Sequence, residues 1–279
     1  MILNFSMPSK PFISVISASW NQGCYLEECL KSVEGLHEGV LEHIVVDNCS
    51  DDETHEVLKR YPQVKAIIEP DSGQSNALNK GFRAARGEWI LWLNVDDFLL
   101  PNTIQFLFDV LKMEGDQLDM IYGHMVFVDN ESRKIRTIYQ PVWRYWMSKI
   151  GVYVAPSTGS MFRRSLFDEN PLNEDFHMIM DTEWMLRVGC SLRTRRMNRE
   201  IVAFRVADNK TAEHINSGKL NTKHQAERLM VAQNHPTYGY WSETGKGVFS
   251  HAGLWAVRKL LRVWILADKA FSKFRMSKK

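Results

Sequence analysis

The 279-residue sequence predicts an α/β fold, a mostly parallel sheet flanked by helices with a C-terminal helical extension. Two observations carry this. Short apolar runs alternate with amphipathic, helix-length segments through the first 125 residues. From residue 251 onward the pattern changes to a basic amphipathic one.

The elements follow in order. Phe12 to Ala18 is a short apolar run, as expected of a buried strand. After Asn21-Gln22-Gly23, the residues Leu26, Leu30 and Val33 share one helical face. His43 to Asp47 is a second strand, and Ser50 is placed to cap a helix opening Asp51-Asp52-Glu53. Val64 to Ile68 is a third strand, and Ser75 to Ala85 a helix closed by Gly87. Trp89 to Leu93 is a fourth strand, ending at Asn94-Val95-Asp96-Asp97, and Pro101 opens another helix. A β-α-β-α order of this kind gives parallel strands, with ligands at their carboxyl ends. Asn21, Asp47, Asp71 and Asp96 all fall just past strand ends. The second half is less regular, with strands at Ile121 to Val128 and Ile201 to Val206 and helices at Met180 to Val188 and Lys219 to Asn234. Pro141 to Tyr153 is rich in aromatics.

Composition excludes several classes. Hydrophobic residues make up 44% and charged residues 24%, so disorder is not expected. The four cysteines (Cys24, Cys29, Cys49 and Cys190) form no C-x-x-C pair, which argues against zinc and disulfide frameworks. Buried, inert thiols in a reducing, cytoplasmic compartment are expected instead. Neither a signal peptide nor an 18-residue uncharged apolar stretch is found. Charge is uneven: residues 251–279 carry eight Lys/Arg against Asp268, or +7, while the rest of the chain carries −5. No nucleic-acid-binding module accompanies that basic tail, so no nucleic-acid partner is expected.

Adjacent carboxylates after the apolar strand Trp89 to Leu93 suit a hard cation such as Mg²⁺ or Mn²⁺, which in turn neutralises a diphosphate. Asp97 is equally suited to capping the next helix. A carboxylate at Asp47 can accept from a ribose hydroxyl or a base N–H. The polar loop from Glu69 to Gly81 feeds a helix N-terminus, an end that favours anions, but holds neither a P-loop nor a dinucleotide fingerprint. Asp181 opens a helix on an apolar background, where desolvation raises a carboxylate toward the range of a general base.

Taken together the motifs resemble family 2 glycosyltransferases with the Rossmann-like GT-A fold. The resemblance runs from Pro11 to Thr211. It rests on Val15 to Asn21, Ile44 to Asp52, Asp71 to Gly81, Trp92 to Asp97, Pro156-Ser157-Thr158 with Phe162-Arg163-Arg164, and Met180-Asp181-Thr182-Glu183, in that order. It implies an inverting, hexosyltransferase-like enzyme with a nucleotide-diphosphate sugar donor and a divalent metal (Mn²⁺ or Mg²⁺). Ser17, Ala18, Ser19, Trp20, Asn21, Asp47, Asp71, Gln74, Asn79, Asn94 and Asp96 would bind the nucleotide sugar. Asp96 and Asp97 would serve the metal and Asp181 would be the catalytic base. Pro156, Ser157, Thr158 and Glu183 would border the acceptor side. Residues 1–215 would form the transferase domain, with a nucleotide-binding half at 1–125 and an acceptor-side half at 126–215.

Departures from the family pattern sharpen this. Asn94 stands where the first acid of D-x-D is usual. Ala207 follows Phe204-Arg205-Val206 where many relatives carry His, leaving His214 as a candidate substitute. The absence of Q-x-x-R-W after Asp181 favours single addition over polymerisation. Many bacterial relatives act on lipid-linked sugars in polysaccharide biosynthesis, so a saccharide or lipid-linked saccharide acceptor is expected. In the extension at 216–279, Val257, Leu261, Trp264 and Phe271 line one side of a helix over 252–275, with Arg258, Arg262, Lys269 and Lys273 on another. That pattern suits an anionic membrane surface on the inner face of the cell membrane, or packing on the protein's own domain. Two other functions compete. One is a catalytically degenerate nucleotide-sugar-binding module. The other is a sugar nucleotidyltransferase, disfavoured because Ser17 to Gly23 lacks the usual basic residue.

Overall fold

A computed structural model describes residues 10–36, 39–149, 155–206 and 222–235, with residues 259, 260, 263, 264, 266–268 and 270 of the tail. The first part winds alternately: β1 (Ile13–Ser19), α1 (Gly23–Ser32), β2 (Leu41–Asp47), α2 (Thr54–Lys59), β3 (Lys65–Ile68), α3 (Gln74–Ala84) and β4 (Trp89–Trp92). Then come β5 (Phe98–Leu99), α4 (Thr103–Glu114), β6 (Met120–Val128), β7 (Lys134–Ile138), α5 (Tyr145–Lys149), β8 (Ser160–Arg163) and α6 (Arg164–Glu169). The last described elements are α7 (Met180–Val188), β9 (Thr194–Arg205) and α8 (Thr222–Asn234).

One sheet runs β3-β2-β1-β4-β8-β6-β9-β5, with β7 paired to β6. From β3 to β4 every pairing is parallel, in the expected order. Beyond β4 the sheet is mixed: β8 is antiparallel to both β4 and β6, β9 is parallel to β6, and β5 is antiparallel to β9. The expected parallel sheet therefore holds for one half of the molecule and gives way in the other. Register brings Ser19 opposite Asp47 and Ile16 opposite Trp92, so three strand ends share one edge.

Helices cover both faces, which explains why β1 and β4 are apolar almost throughout. Alternate residues divide between the layers. Ile16, Ile90 and Trp92 join Leu78 and Phe82 of α3 and Phe167 of α6, while Val15, Trp89 and Leu91 face Leu107 of α4. Phe167 stacks between Phe82 and Trp184, with centroids 3.9 and 4.6 Å away. Those stacks fasten α6 and α7 to the α3 side of the sheet. Among the described residues, no helix is long and apolar enough to cross a membrane.

Several expected boundaries move. Helix α2 begins at Thr54, because Ser50 is engaged with Asp47 instead of capping a helix. Strand β9 starts seven residues before Ile201, where polar residues hide the strand pattern. The short β5, β7, β8 and α6 were not expected from the sequence. Of the cysteines, only Cys29 is buried, with its thiol pushed upward by burial; Cys24, Cys49 and Cys190 are exposed.

Candidate active site

The turn after β4 is built around a buried guanidinium. Arg205, at the end of β9, is 1% exposed. Its backbone N–H donates to Asp97 Oδ1 at 3.0 Å and its Nε to the Asp96 carbonyl at 3.0 Å. The remaining nitrogens reach the carbonyls of Asp129 and Asn130, and Glu28 Oε2 at 2.7 Å. Its plane lies 4.3 Å from the Tyr25 ring centroid. An Arg is almost never fully buried without such partners. Its charge, set at the end of the apolar run Ile201 to Phe204, was the sequence signal for a role that the motif reading passed over.

Asp97 is 1% exposed and also accepts from Thr158 Oγ1 at 2.7 Å and Asn94 Nδ2 at 3.3 Å. Burial, and then the charge of Asp96, push its carboxyl well above the usual range. Asp97 thus anchors the turn, while Asp96 beside it is half-buried. Asn94 bridges three elements, accepting from Gln74 Nε2 and Trp92 Nε1 at 3.1 Å each and donating to Asp97. An acid at this position would accept but not donate, and would add a third carboxylate beside two others.

The predicted nucleotide side separates into open and sealed residues. Ser17 is sealed in the core, donating to the Leu93 carbonyl at 2.6 Å and lying 2.9 Å from His43 Nε2. Burial takes the His43 imidazole down to about 3, so it stays neutral. Asp47 is 0% exposed, and its oxygens are occupied by Ser50 N, Ser50 Oγ and His55 Nε2. Asn79 is likewise occupied, by Leu172 and Glu174, and staples the loop before α7. The polar atoms of these three are taken up by protein partners. At the edge itself lie Ala18, Ser19, Trp20 and Asn21. Ser19 Oγ is buried with no partner among the described residues, and Trp20 is 60% exposed. Asn21 takes a left-handed φ of 50° and fixes the next turn, accepting from Asp51 N and donating its own N–H to Ser50 Oγ. Asp71, pushed upward chiefly by burial, accepts from Gly73 N at 2.8 Å.

Across the edge, a cavity of about 240 Å³ gathers Pro156, Ser157, Thr158 and Asp181 with Met125, Gln140 and Phe204. Asp181 accepts from Thr182 N at 2.6 Å and Ser157 Oγ at 3.2 Å, and burial pushes its carboxyl upward despite them. Thr158 joins this cavity to the acidic turn through Asp97. Glu183 does not line the cavity. Two positions along a helix project about 200° apart, so Glu183 faces away and pairs with Arg187 at 2.7 Å.

Among the described residues, no group of three or more His, Cys, Asp or Glu gathers to hold a metal. Of the two predicted metal ligands, Asp97 is buried and Asp96 half-buried. A hard cation shared with a diphosphate asks for one or two carboxylates, the rest coming from phosphate and water. The residues therefore fit an ion that enters with a nucleotide diphosphate. Ala207, His214, the 215/216 boundary and most of the 252–275 helix lie outside the described residues.

Comparison with known proteins places this arrangement in a class. Residues 14–171, more than half of the chain, match the family described as Glycosyl transferase family 2. The chain belongs to that family. An uncharacterized glycosyltransferase of Nostoc sp. is 26% identical over 168 residues, covering 56% of this chain and 52% of the relative. The putative teichuronic acid biosynthesis glycosyltransferase TuaG of Bacillus subtilis is 34% identical over 130 residues, covering 39% and 52%. The chain thus spans about half the length of these curated relatives. Among solved structures, Staphylococcus aureus TarS 1-349 in complex with UDP-GlcNAc shares the GT-A fold, with a TM-score of 0.62 at 17% identity, covering 87% of this chain and 69% of that one. The mannosyltransferase PcManGT from Pyrobaculum calidifontis, in complex with GDP-Man and Mn²⁺, aligns with a TM-score of 0.54 at 18% identity, covering 93% and 84%.

Proposed function

We propose that the protein transfers a single sugar, with inversion, from a nucleotide-diphosphate sugar to an acceptor hydroxyl. One observation carries the reading: Asp181, raised by desolvation, shares a cavity with Ser157 and Thr158, and Thr158 is bonded to the acidic turn. Ser19, Trp20, Asn21, Asp71 and Gln74 border the donor, with Asp47, Asn79 and Asn94 as its frame. The acceptor O–H proton passes to Asp181 as the oxygen bonds the anomeric carbon. The bond from that carbon to the diphosphate oxygen breaks, and the diphosphate leaves with the electron pair. A divalent ion bound with the donor, held by Asp96, would neutralise the leaving group's charge.

A nucleotide-sugar donor is supported by the UDP-GlcNAc and GDP-Man bound to the structural neighbours, and a cell-surface polysaccharide setting by TuaG. A lipid-linked acceptor on the cytoplasmic face of a membrane fits the tail. Leu260, Val263, Trp264 and Leu266 are exposed there, while Asp268 pairs with Arg196 of β9. Arg196 also donates to the carbonyl of Gln140, beside the cavity, at 3.0 Å. Absence of binding to anionic liposomes at low salt would remove this part of the reading.

The direct test is a thermal-shift titration with UDP, GDP, dTDP and CMP, each with and without Mn²⁺. Ligand at about 100 times its dissociation constant adds roughly 2.7 kcal/mol. A metal-dependent shift with one diphosphate is expected, and no shift with any nucleotide would overturn the donor assignment.

A further inference from the structure

Helix α8 (Thr222–Asn234) lies beyond the residues that match the family, yet it reaches the segment carrying Asp181. Its Glu227 is 3% exposed. Oε1 accepts from the backbone N–H of His177 at 3.0 Å, and Oε2 from those of Met178 at 2.8 Å and Ile179 at 3.1 Å. Its three partners are consecutive amides at the entry to α7, whose N-cap residue, Ile179, makes no side-chain capping bond. Charge-assisted bonds from a buried carboxylate are among the stronger ones a protein makes.

The same segment is pinned from the other side by the predicted donor loop. Ser75 Oγ donates to the Phe176 carbonyl at 2.5 Å. The His177 ring lies so close to Gly73 that a Cβ there would stand 2.4 Å from Nδ1, and Gly73 has a φ of 135° besides. Residues 176–179 are therefore held between the loop at 71–75 and Glu227, two residues before Asp181. Val231, one turn beyond Glu227, is fully buried in the core cluster that includes Trp184, which fixes α8 against α7.

We propose that Glu227 is a positioning residue for the transfer reaction, clamping the entry to α7 so that Asp181 stands at a set height above the donor loop. This rests on the reading of Asp181 as base. Hydrogen–deuterium exchange on the full chain tests the clamp. Glu227→Gln keeps the shape but turns an amide group toward N–H donors, and is expected to speed exchange of amides 177–182 at least tenfold while β1 to β4 stay unchanged. Val231→Ala loosens α8 but keeps the Glu227 carboxylate, and should raise exchange of those amides by clearly less than E227Q does. Unchanged exchange in E227Q, or an equal rise in V231A, overturns the clamp. With UDP-GlcNAc and GDP-mannose as donors, E227Q should lower kcat on the order of 10- to 100-fold and keep donor KM within twofold. Intact kcat overturns the positioning role, and if neither donor turns over, the exchange result decides alone. Asp181→Asn, measured in parallel, separates the two ideas: a near-normal rate in D181N sinks the base assignment, and the exchange of E227Q still decides the clamp.

Discussion

The two halves of the sheet are built by different rules. From β3 to β4 each strand pairs in parallel with a neighbour in the order a wound α/β chain requires, and its polar residues collect at strand ends. From β8 to β5 the pairing is mixed and long-range, and the polar residues arrive from loops and from one buried Arg. The function proposed above turns this into a division of labour, in which the regular half would offer an edge for a ligand and the irregular half would bring the reactive group to it.

Substitutions can break that division. The largest effect is expected of Asp181→Asn in the irregular half. A general base contributes about 10²–10⁴-fold, so turnover should fall by that much while nucleotide binding persists. The fold raises this carboxyl above its unfolded value through burial. Ionising it therefore opposes folding, and D181N should melt higher at pH 7, with the difference vanishing as pH drops below about 4. For the same reason wild-type kcat should be lost, as pH falls, at a pH above the ordinary Asp value of about 3.9. A melting point for D181N no higher than wild type would contradict the desolvation argument.

Next in size is Arg205→Met at the joint between the halves. Glu28, 42% exposed, is left to water, but three carbonyls lose their donor together, and a polar group left unsatisfied typically costs about 1–3 kcal/mol. Denaturant unfolding should register that loss, and both diphosphate binding and turnover should fall. Stability near wild type would mean that the turn at Asp96 and Asp97 holds its own shape. In the regular half, Trp20→Ala should weaken nucleotide diphosphate binding roughly tenfold, within the range of base–aromatic stacking, and leave the melting temperature alone because Trp20 is exposed. Calorimetry showing unchanged affinity would take Trp20 out of the pocket. Smallest of all, Arg133→Ala removes an exposed pair with Asp129 at the β6–β7 turn and should change neither melting nor turnover.

The regular half was legible in the sequence because its signals are local. Apolar runs, strand-end polar residues and the 89–97 stretch needed no knowledge of distant partners. Yet Asp47, Ser17 and Asn79 have their polar atoms turned to protein, since hydrogen-bond partners such as His55 and Leu172 are a tertiary fact. Glu183 stands away from the cavity because neighbours in sequence part ways on a helix, whereas the roles of Glu227 and Arg205 are hidden in the sequence because their partners lie about 50 and 108 residues away.

The dependence of the acidic turn on Arg205 has a consequence for the making of the molecule. At about 5–20 residues per second, a ribosome that has made Asp97 needs roughly 5–20 s more to reach Arg205, 108 residues on, the residue that holds the Asp96–Asp97 turn. Until then the nascent chain possesses its whole parallel half but lacks the guanidinium around which the turn is packed. The turn in its mature form is thus a late event in the chain's life, and a polypeptide truncated before β9 lacks it even where its first strands have folded.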